Sequence, residues 1–195
     1  MKKQNKEITW LASYPRSGNT MLRILLNNNF NQNTYSVYND TADIGKIPAI
    51  SAVTGHKNFE QSKIIEYRKN KNIYFLLKDI EDRNIFIKTH YYNEANNHGK
   101  TIYIFRDGRA VLSSYVAYKK KFTDTHFKEK ELLERLIICG DLLAGYWDEH
   151  ITSWTTKSEN ILTLKYEDMI ANTEKALCDI SEFIKLPLIN NKIIS

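Results

Sequence analysis

Three short stretches of the chain carry residue types and spacings suited to gripping an anion and activating a hydroxyl. The first is "SYPRSGNT", residues 13–20. Laid on the phosphate-loop pattern G-x-x-x-x-G-K-[ST], Gly18 and Thr20 fit, Ser13 stands at the first glycine, and Asn19 replaces the lysine. A cation, Arg16, appears three residues earlier instead. Pro15 stiffens the turn and Gly18 permits a left-handed backbone. The N–H groups of Gly18, Asn19, Thr20 and Met21 are then expected to point outward at a helix N-terminus. Free donors and the helix dipole attract phosphate there. A Walker lysine would reach the β- and γ-phosphates beside Mg²⁺, so its loss argues against an ATPase or kinase.

The second stretch, "FRDGRAVLSS" (105–114), puts Arg106 at a strand end and Gly108 at the opening of a helix. Ala110, Ser114 and Ala117 share one face of that helix. Arg106 and Ser114 could grip one phosphate from two elements; a surface Arg–Asp pair beside an alanine-packed helix is the plainer alternative. The third stretch, "IKTH" (87–90), sets His90 just past a strand end, with Lys88 two positions earlier on the same face. A neutral imidazole is the usual general base for a hydroxyl near neutral pH. His56, His98 and His126 lie in polar, loop-like stretches and His150 on a helix, and ordinary hydrogen bonding is expected of all four. Neither H-x-x-x-H nor C-x-x-C occurs, so no metal site is expected. Of the 28 basic residues 21 are Lys and 7 Arg, yet Arg16, Arg23, Arg106 and Arg109 crowd into two short stretches, 16–23 and 106–109. The planar Arg fork matches phosphate or sulfate oxygens as Lys does not.

These residues need elements to hold them. Four apolar runs read as buried strands: "ITWLAS" (8–13), "NIFIKT" (84–89), "TIYIFR" (101–106) and "NILTLKY" (160–166). Helical patterns follow the first run from Asn19, the third from Gly108 and the fourth from Asn172. One further helix is expected across 128–154. Alternation of this kind predicts an α/β fold, a mostly parallel central sheet flanked by helices, with a P-loop-like turn after the first strand. A single domain is expected over 1–195. Such sheets bind ligands beyond the carboxyl ends of their strands. The four runs end at Arg16 and Gly18, at Lys88 and His90, at Arg106, and at Tyr166, Glu167 and Asp168. Glu167 and Asp168 are expected to shape the rim rather than react. Segment 30–80, with His56 and Lys57, is the candidate acceptor pocket.

The composition, 42% hydrophobic and 26% charged, is that of an ordinary globular protein. No apolar run approaches a membrane span, and the basic start "MKKQNKEITW" has no apolar segment behind it. Cys139 and Cys178 lie far apart and are expected as buried free thiols, which suggests a reducing, cytoplasmic setting. A net charge of +5 suits an anionic ligand but is modest for a nucleic-acid binder, so no such partner is expected. Lys119, Lys120 and Lys121 end a helix, where cations offset its dipole. Nothing in the sequence specifies an oligomeric state.

"YPRSGNTMLR" (14–23), "RDGRAVLSS" (106–114) and "LKYEDM" (164–169), in that order, resemble the sulfotransferases that use 3′-phosphoadenosine 5′-phosphosulfate (PAPS). "KTH" (88–90) fits the catalytic-histidine segment of that family, and "GYWDEHITSW" (145–154) is also similar to it. The resemblance spans residue 8 to about 187 and leaves 30–80 unmatched. It implies PAPS as co-substrate, adenosine 3′,5′-bisphosphate as product, and no metal. Cofactor binding would fall to Arg16, Ser17, Gly18, Asn19, Thr20, Met21, Arg106, Ser114 and Tyr166. Arg16 would face the bridging oxygen of the phosphosulfate, and Arg106 and Ser114 the 3′-phosphate. Lys88 would assist the transferring sulfuryl group, and His90 would take the acceptor's proton. Arg at position 16 keeps the charge of the lysine common there but cannot pass on a proton. The implied acceptor is a hydroxyl of a small molecule or carbohydrate, or less readily an amine. Two other readings remain: a kinase-like nucleotide enzyme with an altered P-loop, and a non-catalytic nucleotide-binding protein.

Overall fold

The computed structural model describes residues 6–38, 48–78, 80–93, 99–122, 126–155 and 158–189. Strand β1 (Glu7–Ser13) runs into helix α1 (Asn19–Phe30), and β2 (Thr34–Ser36) follows at the sheet edge. Helices α2 (Pro48–Val53), α3 (Gln61–Asn70) and α4 (Tyr74–Leu77) lead to β3 (Asn84–Thr89). Next come β4 (Lys100–Phe105), α5 (Gly108–Phe122), α6 (Glu129–Cys139) and α7 (Trp147–Trp154). Strand β5 (Ile161–Lys165), α8 (Tyr166–Ala171) and α9 (Thr173–Ile184) complete the described chain.

All five strands are parallel, in the order β2-β3-β1-β4-β5. Residues alternate between the two faces, as a period of two demands. Leu11, Phe86, Ile102 and Ile104 join the core under α1, α8 and α9. Trp10, Ile85 and Ile87 pack with α3 and α4, and Ala12 and Tyr103 with Trp154 of α7. Strands buried on both sides read as unbroken apolar runs, which makes β1, β3 and β4 visible in the sequence; β5 lies at the sheet edge, half exposed, and is visible through Ile161, Leu162 and Leu164. Three-residue β2 is not; its polar neighbours hide it. Strand order reverses around β1, with β2 and β3 on one side and β4 and β5 on the other. A crevice opens at the carboxyl end of β1 as a result.

Two expectations need correction. Residues 128–154 do not form one helix: α6 stops at Gly140, and α7 starts after Tyr146. Gly140 and Gly145 both take positive φ, 69° and 63°, and Asp141 and Gly145 exchange two backbone hydrogen bonds of 2.8 Å. A side chain at Gly145 would collide with Tyr92. The Asp141 carboxylate accepts the N–H groups of Leu143 (2.9 Å) and Ala144 (3.1 Å), so the turn satisfies its own donors. Nor are the cysteines buried. Cys139 ends α6 and Cys178 sits off the inward Ala176, Leu177, Ile180 and Ile184 stripe of α9, and both are exposed. Among the described residues, no helix is long and apolar enough to cross a membrane. His98 and the last six residues lie outside the described ones.

Candidate active site

The register of the sheet brings the strand ends to one height. Leu11 pairs with Lys88 and Ala12 with Thr89, so the next step sets Ser13 beside His90; on its other side Ser13 pairs with Ile104. Above them lies a cleft of about 680 Å³, a volume in the usual ligand range. Arg16, Gly18, Asn19, Thr20, Met21, Lys88, His90, Arg106, Ser114 and Tyr166 all line it. Of the residues nominated from sequence, Ser17 alone lies beneath the cleft surface, with no exposure. A smaller cavity of about 380 Å³ at the opposite ends of the strands is lined by Glu7, Asn84 and Lys100, away from every chemical motif.

The 13–20 turn needs two positive φ angles, Arg16 at 69° and Gly18 at 104°. Strain at a non-glycine residue is a feature of functional loops, and no residue type announces it at Arg16. Gly18 is also confined sterically: an added Cβ would overlap the Tyr166 ring edge and lie 3.2 Å from Ile104 Cδ1. The Tyr166 ring therefore forms a wall directly against the loop. Exposed Arg16 rests over the Tyr118 ring (4.9 Å) and donates from Nε to Ser114 Oγ at 3.3 Å. One cation thus connects the 13–20 turn with α5. The Asn19 side chain turns inward instead of toward a ligand. Its Nδ2 donates to Leu11 O (2.9 Å) and Ser13 Oγ (3.2 Å), leaving its backbone N–H as the group at the helix start.

Arg106, just past β4, lies over the Tyr166 ring at 4.7 Å and 4.0 Å from Glu167 Oε1. Glu167 also accepts the Asp107 N–H at 3.1 Å, so it steadies the strand-to-helix turn. Asp107 accepts from the N–H groups of Arg109 and Ala110, which caps α5. That capping occupies the backbone donors at the start of α5, while the Arg106 and Ser114 side chains line the cleft. Arg109 pairs with Asp107 on the surface, and buried Arg23 donates to Thr34 Oγ1 (2.8 Å) and contacts His56 Nδ1 (2.8 Å). Of the four clustered arginines, two face the cleft and two serve the fold.

His90 has a defined tautomer. Its Nδ1 is 2.7 Å from the Ser13 carbonyl oxygen, which can only accept. The proton therefore sits on Nδ1, and in the neutral ring Nε2 holds the lone pair. Its ring stacks on Tyr38 at 5.5 Å, and its backbone N–H donates to Tyr38 Oη at 2.6 Å. Burial pushes the Tyr38 phenol well above its ordinary pKa, the Thr89 and His90 hydrogen bonds opposing only in part, so Tyr38 stays neutral. Lys88, 9% exposed, sits with Nζ 5.8 Å from the same ring.

Segment 30–80 contributes Tyr38 and Ile50 to the cleft. His56 and Lys57 are employed elsewhere, on Arg23 and Asn58 and on Asp82. Phe122 at the end of α5, Asp141 and Leu143 also line the cleft; no local pattern marks Asp141 and Leu143, because the break at 140–146 brings them there. Among the described residues, no group of three His, Cys, Asp or Glu side chains could hold a metal.

A family model for the sulfotransferase domain matches residues 6–195. The 3-alpha-hydroxysteroid sulfotransferase of Cavia porcellus is 27% identical over 137 residues, 65% of this chain and 46% of that protein. Sulfotransferase 1B1 of Canis lupus familiaris is 27% identical over 189 residues, 94% of this chain and 60% of its own length. The chain thus spans about half the length of these curated relatives. A mouse sulfotransferase solved in complex with PAP superposes with a TM-score of 0.62 at 20% identity, covering 96% of this chain and 60% of that one. That last likeness is one of fold.

Proposed function

The chain belongs to the sulfotransferase domain family, and from that premise we propose that it moves a sulfuryl group from PAPS to the hydroxyl of a small molecule. The observation that carries the reading is convergence. Two arginine-centred anion grips, Arg16 with its loop and Arg106 with Ser114, line one cleft with a histidine whose tautomer suits it to accept a proton. The residues present fit the nucleotide. Arg106 lines the cleft, and its Nε, among the described residues, lacks a hydrogen-bond partner; an incoming phosphate would satisfy such an orphaned donor.

PAPS, when bound, supplies a sulfuryl group on a good leaving phosphate. The acceptor oxygen attacks sulfur, the bridging S–O bond breaks, and its electron pair stays with the phosphate of adenosine 3′,5′-bisphosphate. His90 Nε2 takes the acceptor's proton. Arg16 stabilises charge growing on the bridging oxygen without donating a proton. Lys88 steadies the transferring group. Arg106 and Ser114 hold the 3′-phosphate, against a floor formed by Tyr166. A kinase-like activity would need a cation following Gly18, where Asn19 instead braces β1.

Calorimetry with adenosine 3′,5′-bisphosphate and with ADP, followed by radiolabelled PAPS with a panel of phenols, steroids and amines, tests the reading. Tight binding of the bisphosphate, weak binding of ADP and label transfer are expected. Equal binding of the two nucleotides removes the 3′-phosphate grip, and bisphosphate binding without transfer leaves a nucleotide-binding protein.

A further inference from the structure

We propose that His150, backed by Tyr103, is a positioning residue that sets the orientation of His90. The inference rests on the reading of His90 as the base. Strand β3 ends at Thr89, so the backbone of His90 has left the ladder. Side chains take over there: Tyr38 Oη accepts its N–H at 2.6 Å, and His150 Nε2 lies 3.2 Å from its carbonyl oxygen. Since that oxygen can only accept, Nε2 of His150 carries the proton. The neutral ring then has its lone pair on Nδ1, where the Tyr103 hydroxyl donates at 2.9 Å. Both ring nitrogens are used, and the chain Tyr103–His150–His90 has one consistent direction.

The surroundings make this a rigid device. His150 has no exposure and meets the rings of Tyr14, Tyr92 and Tyr103 at 5.5 to 5.7 Å. Burial depresses its pKa to about 4, so it remains an uncharged donor while His90 does its work. Trp154, one turn later on α7, donates from Nε1 to the Tyr91 carbonyl at 3.0 Å. Helix α7 therefore fixes two successive carbonyls beyond β3, and it can do so because Gly140 and Gly145 end α6 early. A buried histidine is most often a satisfied core residue. This one differs in holding the backbone of the residue whose ring faces the cleft.

A shift of about 1 Å at a reacting group can cost about 100-fold in rate. His150→Leu is therefore expected to lose about 10- to 100-fold in kcat, with acceptor KM and bisphosphate affinity close to wild type. His150→Gln, which retains a donor near Nε2, should regain most of that loss. Should His150→Leu fail to fold, Tyr103→Phe carries the test, with a several-fold lower kcat and unchanged binding. Unchanged kcat in the folded variants, a parallel loss of nucleotide affinity, or no recovery with Gln overturns the proposal. Histidine-labelled NMR separates it from the sulfotransferase reading. If the wild type transfers nothing, His90 should still lose its single Nδ1–H tautomer in His150→Leu or Tyr103→Phe; an unaltered tautomer in both ends the positioning role by itself.

Discussion

Replacing Gly18 by Ala places one methyl group where there is no room for it. The new Cβ would overlap Tyr166 Cδ2, lie 2.9 Å from Cε2 and stand 3.2 Å from Ile104 Cδ1. The Tyr166 ring is not free to retreat, because Arg106 lies over it at 4.7 Å. Backbone strain comes on top, since φ at this position is 104°. A sparsely allowed φ costs about 1–3 kcal/mol, and overpacking about 1–3 kcal/mol more. The sum, roughly 2–6 kcal/mol, is a large share of the 5–15 kcal/mol by which a typical domain is stable (about these values). Urea denaturation of Gly18→Ala, Tyr166→Ala and the double variant separates the two contributions. With the ring removed the collision disappears and the strain remains, so the double variant should be about 1–3 kcal/mol more stable than the single effects predict. Full additivity would refute the close approach, and a Gly18→Ala protein within about 0.5 kcal/mol of wild type would refute both contributions.

His90→Ala should abolish transfer, with calorimetry showing nearly intact bisphosphate binding; undiminished turnover would remove His90 as base. Arg106→Ala removes a charge-assisted contact worth about 1.5–3 kcal/mol. Affinity for the bisphosphate should then fall about 10- to 150-fold, with ADP affinity barely altered; equal losses would place Arg106 elsewhere. The buried His150 makes stability depend on pH. Its pKa is about 4 in the fold and near 6.5 in the unfolded chain, so the unfolded state binds the extra proton between those values. Its share of stability is therefore complete above pH 6.5 and shrinks as the pH falls to 4. The loss is about 3 kcal/mol at the lower end. Urea midpoints at pH 7 and pH 4.5 should converge in His150→Gln relative to wild type; identical pH slopes would contradict the burial argument.

Much of the candidate site was legible because parallel α/β sheets tie chemistry to strand ends. An apolar run followed by Arg16 and Gly18, and another followed by Arg106, mark their own positions along the chain. The same logic found Lys88 and His90. It failed where a residue's role depends on partners distant in sequence. Arg23 stands among the clustered arginines but binds Thr34 and His56, and Cys139 and Cys178 show outward faces that no spacing announced. His150 does make the hydrogen bonds expected of it, but its partners, Tyr103 and the His90 carbonyl, are invisible in a local pattern that is merely that of a helix.

Local chemistry therefore determined the elements: apolar runs made strands, Gly18 and Pro15 made a turn, and helical periodicity placed Ser114 eight residues beyond Arg106. The parallel arrangement followed from their alternation. The tertiary structure alone decided which strand end met which. Pairing β1 with both β3 and β4 sets Ser13 against His90 and fixes the proton on Nδ1. Ending α6 at Gly140 turns His150 toward that same residue, 60 positions away. Periodicity and propensity act over a turn or two of chain, while hydrogen bonds and ring contacts across such separations exist only after the sheet has assembled.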